Sequence, residues 1–210
     1  MLSSLVFKRL PAVVLGGICS AIAFCSQNVY AAAIGQPSTI QMGFGSYLNL
    51  VTANDAQGHT RRKISPQLGS LFITDWFIDD TRYLTELYAS KYSFAAETGT
   101  IGEQVDNKGV RFSVQLNAKH GKYFSPWYGL GVDLSHTQYT KRHKIDSDGF
   151  LIAQYEDTTK AGINLLLNVL ETWSVSSNIE VGAKLEYSIP LTQTIHGFSA
   201  GLLMIFHPEF

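Results

Sequence analysis

Few side chains in this sequence sit where they could do chemistry. Ser135-His136 sets a hydroxyl beside an imidazole, the ingredients of a nucleophile and its base. Both fall in a segment that alternates apolar and polar residues, however. Neighbours on a strand point to opposite faces, so the two cannot meet as a dyad, and no catalytic residue is assigned. The six histidines (His59, His120, His136, His143, His196 and His207) show no i,i+2 or i,i+4 spacing, which speaks against a metal site. Asp146-Ser147-Asp148-Gly149 is turn chemistry, because the later glutamate of a calcium loop is missing. No cofactor and no metal are expected.

The more informative group is charged. Arg111, Asp133, Glu180, Lys184 and Glu186, joined by Glu86, lie on the polar faces of alternating segments. In a closed structure such charges are tolerable only when they neutralise one another and are hydrogen-bonded. An interior ion-pair cluster is therefore expected, either as a packed plug or as the gate of a narrow pore. A second, basic group lies in longer polar stretches: Arg61, Arg62 and Lys63, then Lys141, Arg142 and Lys144. It reads as solvated loop charge or as a contact with lipopolysaccharide phosphates.

The elements that must position these groups are strands. Val110, Phe112, Val114 and Leu116 alternate with Arg111, Ser113, Gln115 and Asn117. Ile179 to Ile189 repeats the pattern, with Glu180, Lys184 and Glu186 on its polar side. So do segments at Ile40–Leu48, Tyr128–Leu134, Ala161–Val169 and Phe198–Phe206. Pro66–Asp75 and Arg82–Phe94 are less regular, since Leu71 and Phe72 are adjacent. Tyr83, Thr85, Leu87 and Ala89 are taken as the apolar face of the second. The sum is eight strands. Connections are short near 76–81, 119–126 and 171–178, and longer near 51–63, 95–108 and 140–158. Short turns at one end and longer loops at the other match an outer-membrane barrel. Trp76, Trp127 and Trp173, with Tyr128, cluster at the short connections. There they would form an interfacial aromatic belt.

Alternation alone leaves two arrangements, a soluble ligand-binding barrel with its apolar face inside and a membrane barrel with that face outside, and size favours the second. The polar faces carry small and charged residues, among them Gly43, Gly45, Gly129, Gly131, Gly162, Gly182 and Gly201. An eight-stranded interior is just wide enough for packed side chains, so this face goes inside and the apolar face meets lipid.

The N-terminus fits that destination. Lys8 and Arg9 precede an apolar run to Phe24, followed by Val29-Tyr30-Ala31, the layout of a cleaved secretory signal. Residues 1–31 are read as the signal peptide and 32–210 as the barrel domain. Both cysteines, Cys19 and Cys25, leave with the signal, and a thiol-free mature chain suits an oxidising periplasm. Cleavage also removes Lys8 and Arg9, leaving 14 basic against 17 acidic residues, a charge of −3. No broad basic field remains for nucleic acid.

The stretch Pro126-Trp127-Tyr128-Gly129-Leu130-Gly131-Val132 resembles the Pro-aromatic-x-Gly-x-Gly strand of small outer-membrane β-barrel proteins, the OmpA-, OmpX-, OmpW- and opacity-like group. The last strand, with Phe206 and a terminal Phe210, resembles their C-terminal assembly signal, departing from it at His207-Pro208-Glu209. The His-x-Ser-Asn pattern of barrel deacylases is absent, since Thr137 and Gln138 follow His136. The resemblance implies an all-β, eight-stranded antiparallel transmembrane up-and-down barrel in the cell outer membrane. It implies insertion by the barrel-assembly machinery and contact with outer-membrane lipid and lipopolysaccharide. The expected role is structural or surface-interactive and non-enzymatic, with an interior filled by polar and charged residues. A small solute pore and a lipid A-modifying enzyme are the alternatives.

Overall fold

The computed structural model describes residues 40–54, 60–75, 80–119, 124–192 and 196–207; the signal segment lies outside them. The described residues form nine strands: β1 (Ile40–Asn54), β2 (Thr60–Asp75), β3 (Thr81–Phe94), β4 (Gly102–Asn117), β5 (Trp127–Ile145), β6 (Leu151–Gln154), β7 (Thr158–Ser176), β8 (Ile179–Pro190) and β9 (His196–Phe206). Every pairing is antiparallel. The order β4-β3-β2-β1-β9-β8-β7-β5 closes on itself through β4–β5, giving an eight-stranded barrel that leaves β6 outside the ring. Closure removes the sheet edges that would otherwise carry unpaired backbone groups.

Alternation sets the faces as the side-chain period requires. Phe44, Leu48, Leu68, Leu87, Val114, Leu116, Leu130, Leu167, Leu185 and Leu202 stand on the outer surface, Leu202 at 72% exposure. A continuous exposed apolar band is costly in water and natural in lipid. Tyr83 and Leu87 face outward and Glu86 and Tyr88 inward, the register chosen above for this less regular segment.

The long polar connections prove to be mostly strand. β1 runs on to Asn54, β4 begins at Gly102, and β5 continues to Ile145 before turning into β6. β5 and β7 are 19 residues each, while about 9–11 suffice to cross a bilayer. Alternation fades in these extensions because their outward face is polar, yet the inward face still packs at Val51 and Val105 and the backbone ladder continues. The hairpin between β5 and β6 is closed by Asp146, whose Oδ1 accepts from Asp148 N at 3.0 Å and Phe150 N at 2.8 Å. Gly149 supplies the left-handed backbone there, with φ 85°.

At the other end, β7 and β8 are joined by the two-residue turn Ser177-Asn178. The start of β1 and the end of β9 lie at this same end, since Met42 pairs with Phe206. His207 N still donates to Asn178 O at 2.9 Å, so pairing runs up to the residue before Pro208.

The interior is layered. At the short-turn end Leu71, Ile73, Leu84, Leu170, Leu203 and Ile205 pack into an apolar plug. At the long-loop end Val51, Tyr92, Phe94, Val105 and Tyr139 form a second one. A charged layer lies between. The expectation of a wholly polar and charged filling is thereby corrected. Two apolar layers cap the charges, so the ions have little water and must be satisfied by one another and by neutral hydrogen-bond partners.

Candidate functional site in the barrel lumen

The charged layer is built on register. Arg111 on β4 stands opposite Glu86 on β3 and opposite Asp133 on β5. A strand's inward positions recur every second residue, so cross-strand partners on the lumen face are forced together. The Arg111 Nη1 lies 3.2 Å from Glu86 Oε2 and 2.8 Å from Glu186 Oε1, and its Nε lies 3.9 Å from Asp133 Oδ2. Lys184 Nζ sits 2.5 Å from Glu86 Oε2 and 2.7 Å from Glu186 Oε2. Two cations thus serve three carboxyl groups.

The third carboxyl group is held by neutral donors. Asp133 accepts from Tyr88 Oη at 2.9 Å, Asn164 Nδ2 at 3.1 Å and Ser188 Oγ at 3.5 Å. Two aromatic rings complete the layer, the Arg111 guanidinium 3.8 Å from the Tyr88 centroid and Lys184 Nζ 5.3 Å from that of Tyr47. Tyr47 fits because glycines flank it: a Cβ on Gly45 would collide with its hydroxyl and ring, and one on Gly201 with its ring edge.

The cluster therefore unites Arg111, Asp133, Lys184 and Glu186. It does not include Glu180. That carboxylate is inward but lies at the short-turn mouth, where His207 Nε2 approaches to 3.2 Å. Four strand residues separate it from Lys184, about 13 Å at the usual rise. The apolar plug fills the gap, with Leu203 paired to Gly182 and Ile205 to Glu180.

The aromatic belt needs a similar correction. Tyr128 and Trp173 do face outward, at 45% and 47% exposure. Trp127 turns inward instead. It packs against the short-turn plug, and the Arg82 guanidinium lies 3.9 Å from its ring centroid. The reason is parity: Trp127 shares the face of Gly129, Gly131 and Asp133, and adjacency to a turn does not override the pleat. Trp76 and Phe210 lie outside the described residues, while Phe206 is outward on β9.

Glu86, expected to join the cluster, is its hub, with Tyr88 on the inward face assigned to it. Tyr47 and Gln67 escaped the sequence reading; Arg111 Nη2 donates to Gln67 Oε1 at 3.4 Å. Leu203 and Ile205 were hidden inside Leu202-Leu203-Met204-Ile205-Phe206. An unbroken apolar run of that kind marks a strand buried on both faces.

Above the cluster is a cavity of about 30 Å³, lined by Asn49, Tyr88, Arg111, Asp133, Asn164 and Glu186 among others. It has space for about one or two waters and none for a solute. Val51 and Tyr92 of the upper apolar layer line it as well. Ser135 is inward and His136 outward, so these neighbours stand on opposite sides of the barrel wall.

No family model matches the sequence, and no characterised protein matches it by sequence comparison. Solved structures match in fold. Ail, the attachment invasion locus protein of Yersinia pestis, solved with the heparin analogue sucrose octasulfate, shares 13% identity over 80% of this chain and 97% of its own, TM-score 0.52. Neisserial surface protein A shares 11% over 80% and 97%, TM-score 0.51. OprG from Pseudomonas aeruginosa shares 12% over 81% and 97%, TM-score 0.53. The chain has the fold of the small outer-membrane β-barrels.

Proposed function

We propose that this chain is an integral outer-membrane barrel with a structural or surface-interaction role, and that it neither conducts solutes nor catalyses a reaction. The observation that carries this reading is the packed lumen: a paired charge cluster lies between two apolar layers, beside a cavity of about 30 Å³. A pore needs a continuous wet path, which a packed eight-stranded interior lacks. The outward apolar band supports residence in lipid, with lipopolysaccharide as the outer-leaflet neighbour and the barrel-assembly machinery as the route of insertion.

The surface role is supported by the β5–β6 hairpin. It projects past the barrel rim and exposes Phe150, Leu151 and Ile152 at its tip. The test is fractionation of outer membranes with trypsin added to intact cells. Cleavage at Lys144 beside the hairpin tip, with the barrel core protected, is the expected pattern. Recovery in the soluble periplasmic fraction would overturn the proposal.

A further inference from the structure

Among the described residues, the outward cations of the barrel wall lie on β2 to β5, with Arg62 the one on β2. The outward positions of β1, β8 and β9 carry no lysine or arginine among the described residues. On β3, β4 and β5 the pattern differs. The cross-strand row Leu87–Val110–Leu134–Ile163 belongs to the apolar band. The next outward row reads Ala89–Lys108–His136–Ala161, and the one after it opens with Lys91 opposite Asp106.

We infer that Lys91, Lys108 and His136 form a binding site for the phosphate of an anionic lipid whose acyl chains lie along the apolar row beneath. The inference rests on the membrane-spanning reading above. Lys108 and His136 are direct cross-strand neighbours, about 5 Å apart at Cβ, and Lys91 is diagonal to Lys108 at about 7–8 Å. All three are exposed, so a phosphate oxygen can reach both ammonium groups and a ring N–H together. Ala89 and Ala161 flank the pair with single methyl groups, which keeps neighbouring side chains short where a headgroup would sit.

One carboxylate is close: Asp106 Oδ1 lies 3.8 Å from Lys108 Nζ. It offsets one of the two lysine charges and leaves the flank net positive. A free anion has no use for the apolar row. A phosphorylated lipid uses both parts of the site, and the apolar contact at Leu87, Leu134 and Ile163 holds it where screening by salt is weakest.

The test uses the folded protein in detergent micelles, with diphosphorylated lipid A as the probe and native mass spectrometry counting lipids retained. Wild type is expected to retain one lipid. Lys91→Gln/Lys108→Gln is expected to retain at least ten-fold less while keeping its heat-modifiable folded band. Lys141→Gln/Lys144→Gln, which removes equal charge from the hairpin, is expected to retain lipid as wild type does. The inference falls if both double variants lose lipid equally, if fully dephosphorylated lipid A is retained as well, or if inorganic phosphate at equal concentration displaces the lipid. A chain that never yields a folded band in micelles or vesicles overturns the membrane reading itself, a distinguishable result.

Discussion

Lys184 and Glu86 are 98 residues apart in the chain, yet Lys184 Nζ lies 2.5 Å from Glu86 Oε2 across the lumen. β8 and β3, which carry them, stand on opposite sides of the ring. The contact therefore braces the barrel through its centre, in addition to the hydrogen-bonded ladders around its wall. Loss of Lys184 leaves Glu86 and Glu186 to share Arg111, and an uncompensated buried charge is expensive. Lys184→Met is expected to destabilise the folded barrel by about 3–5 kcal/mol. Urea titration of the heat-modifiable band measures it. Glu86→Gln combined with Lys184→Met should cost about 0.5–3 kcal/mol less than the two single costs added. Strict additivity would show that the pair does not form.

Arg111 is the other brace, contacting Glu86, Glu186 and Asp133 on three strands. Arg111→Ala leaves these carboxyl groups with Lys184 alone and is expected to destabilise by a similar few kcal/mol. Heat resistance equal to wild type would remove the stabilising role assigned to the cluster.

Tyr47 occupies the lumen only because Gly45 offers no side chain. Gly45→Ala should cost about 1–3 kcal/mol by overpacking. Tyr47→Leu in the same chain should relieve much of that cost, because the three atoms nearest the added methyl all belong to the Tyr47 side chain. No relief would place the strain elsewhere.

The short-turn plug predicts an electrical silence that can be broken. Purified wild type in planar bilayers is expected to show no steady openings. Leu71→Ala/Leu170→Ala/Leu203→Ala opens the seal beneath the charges and is expected to admit ions. Steady wild-type openings that change in Lys184→Ala would favour a gated pore instead.

Trp127 and Trp173 separate the two sides of the wall. In chains keeping a single tryptophan, lipid brominated on its acyl chains should quench Trp173 strongly and Trp127 weakly. Equal quenching would restore Trp127 to the belt.

Most of the strands were legible because alternation reports the face directly. Val110–Leu116 and Ile179–Ile189 show it best: the residues assigned to lipid are outward, and Arg111, Lys184 and Glu186 are inward. The rim extensions were not legible. Glu103 and Arg142 pair with their strands in place, Nε 3.4 Å from Oε2, but polar residues on both faces erase the period that would have revealed them. Trp127 was misplaced because nearness to a turn outweighed its parity in the reading, whereas the pleat obeys parity.

The amino-acid order by itself determined that this chain makes strands with one greasy and one polar side, and which residues belong to each. Tertiary structure decided depth. A two-residue period carries no information on how high a residue sits in a closed barrel, since height depends on the stagger between strands. That stagger brought Glu86 to Lys184, sent Glu180 to the mouth with His207, and stacked Leu203 and Ile205 between them.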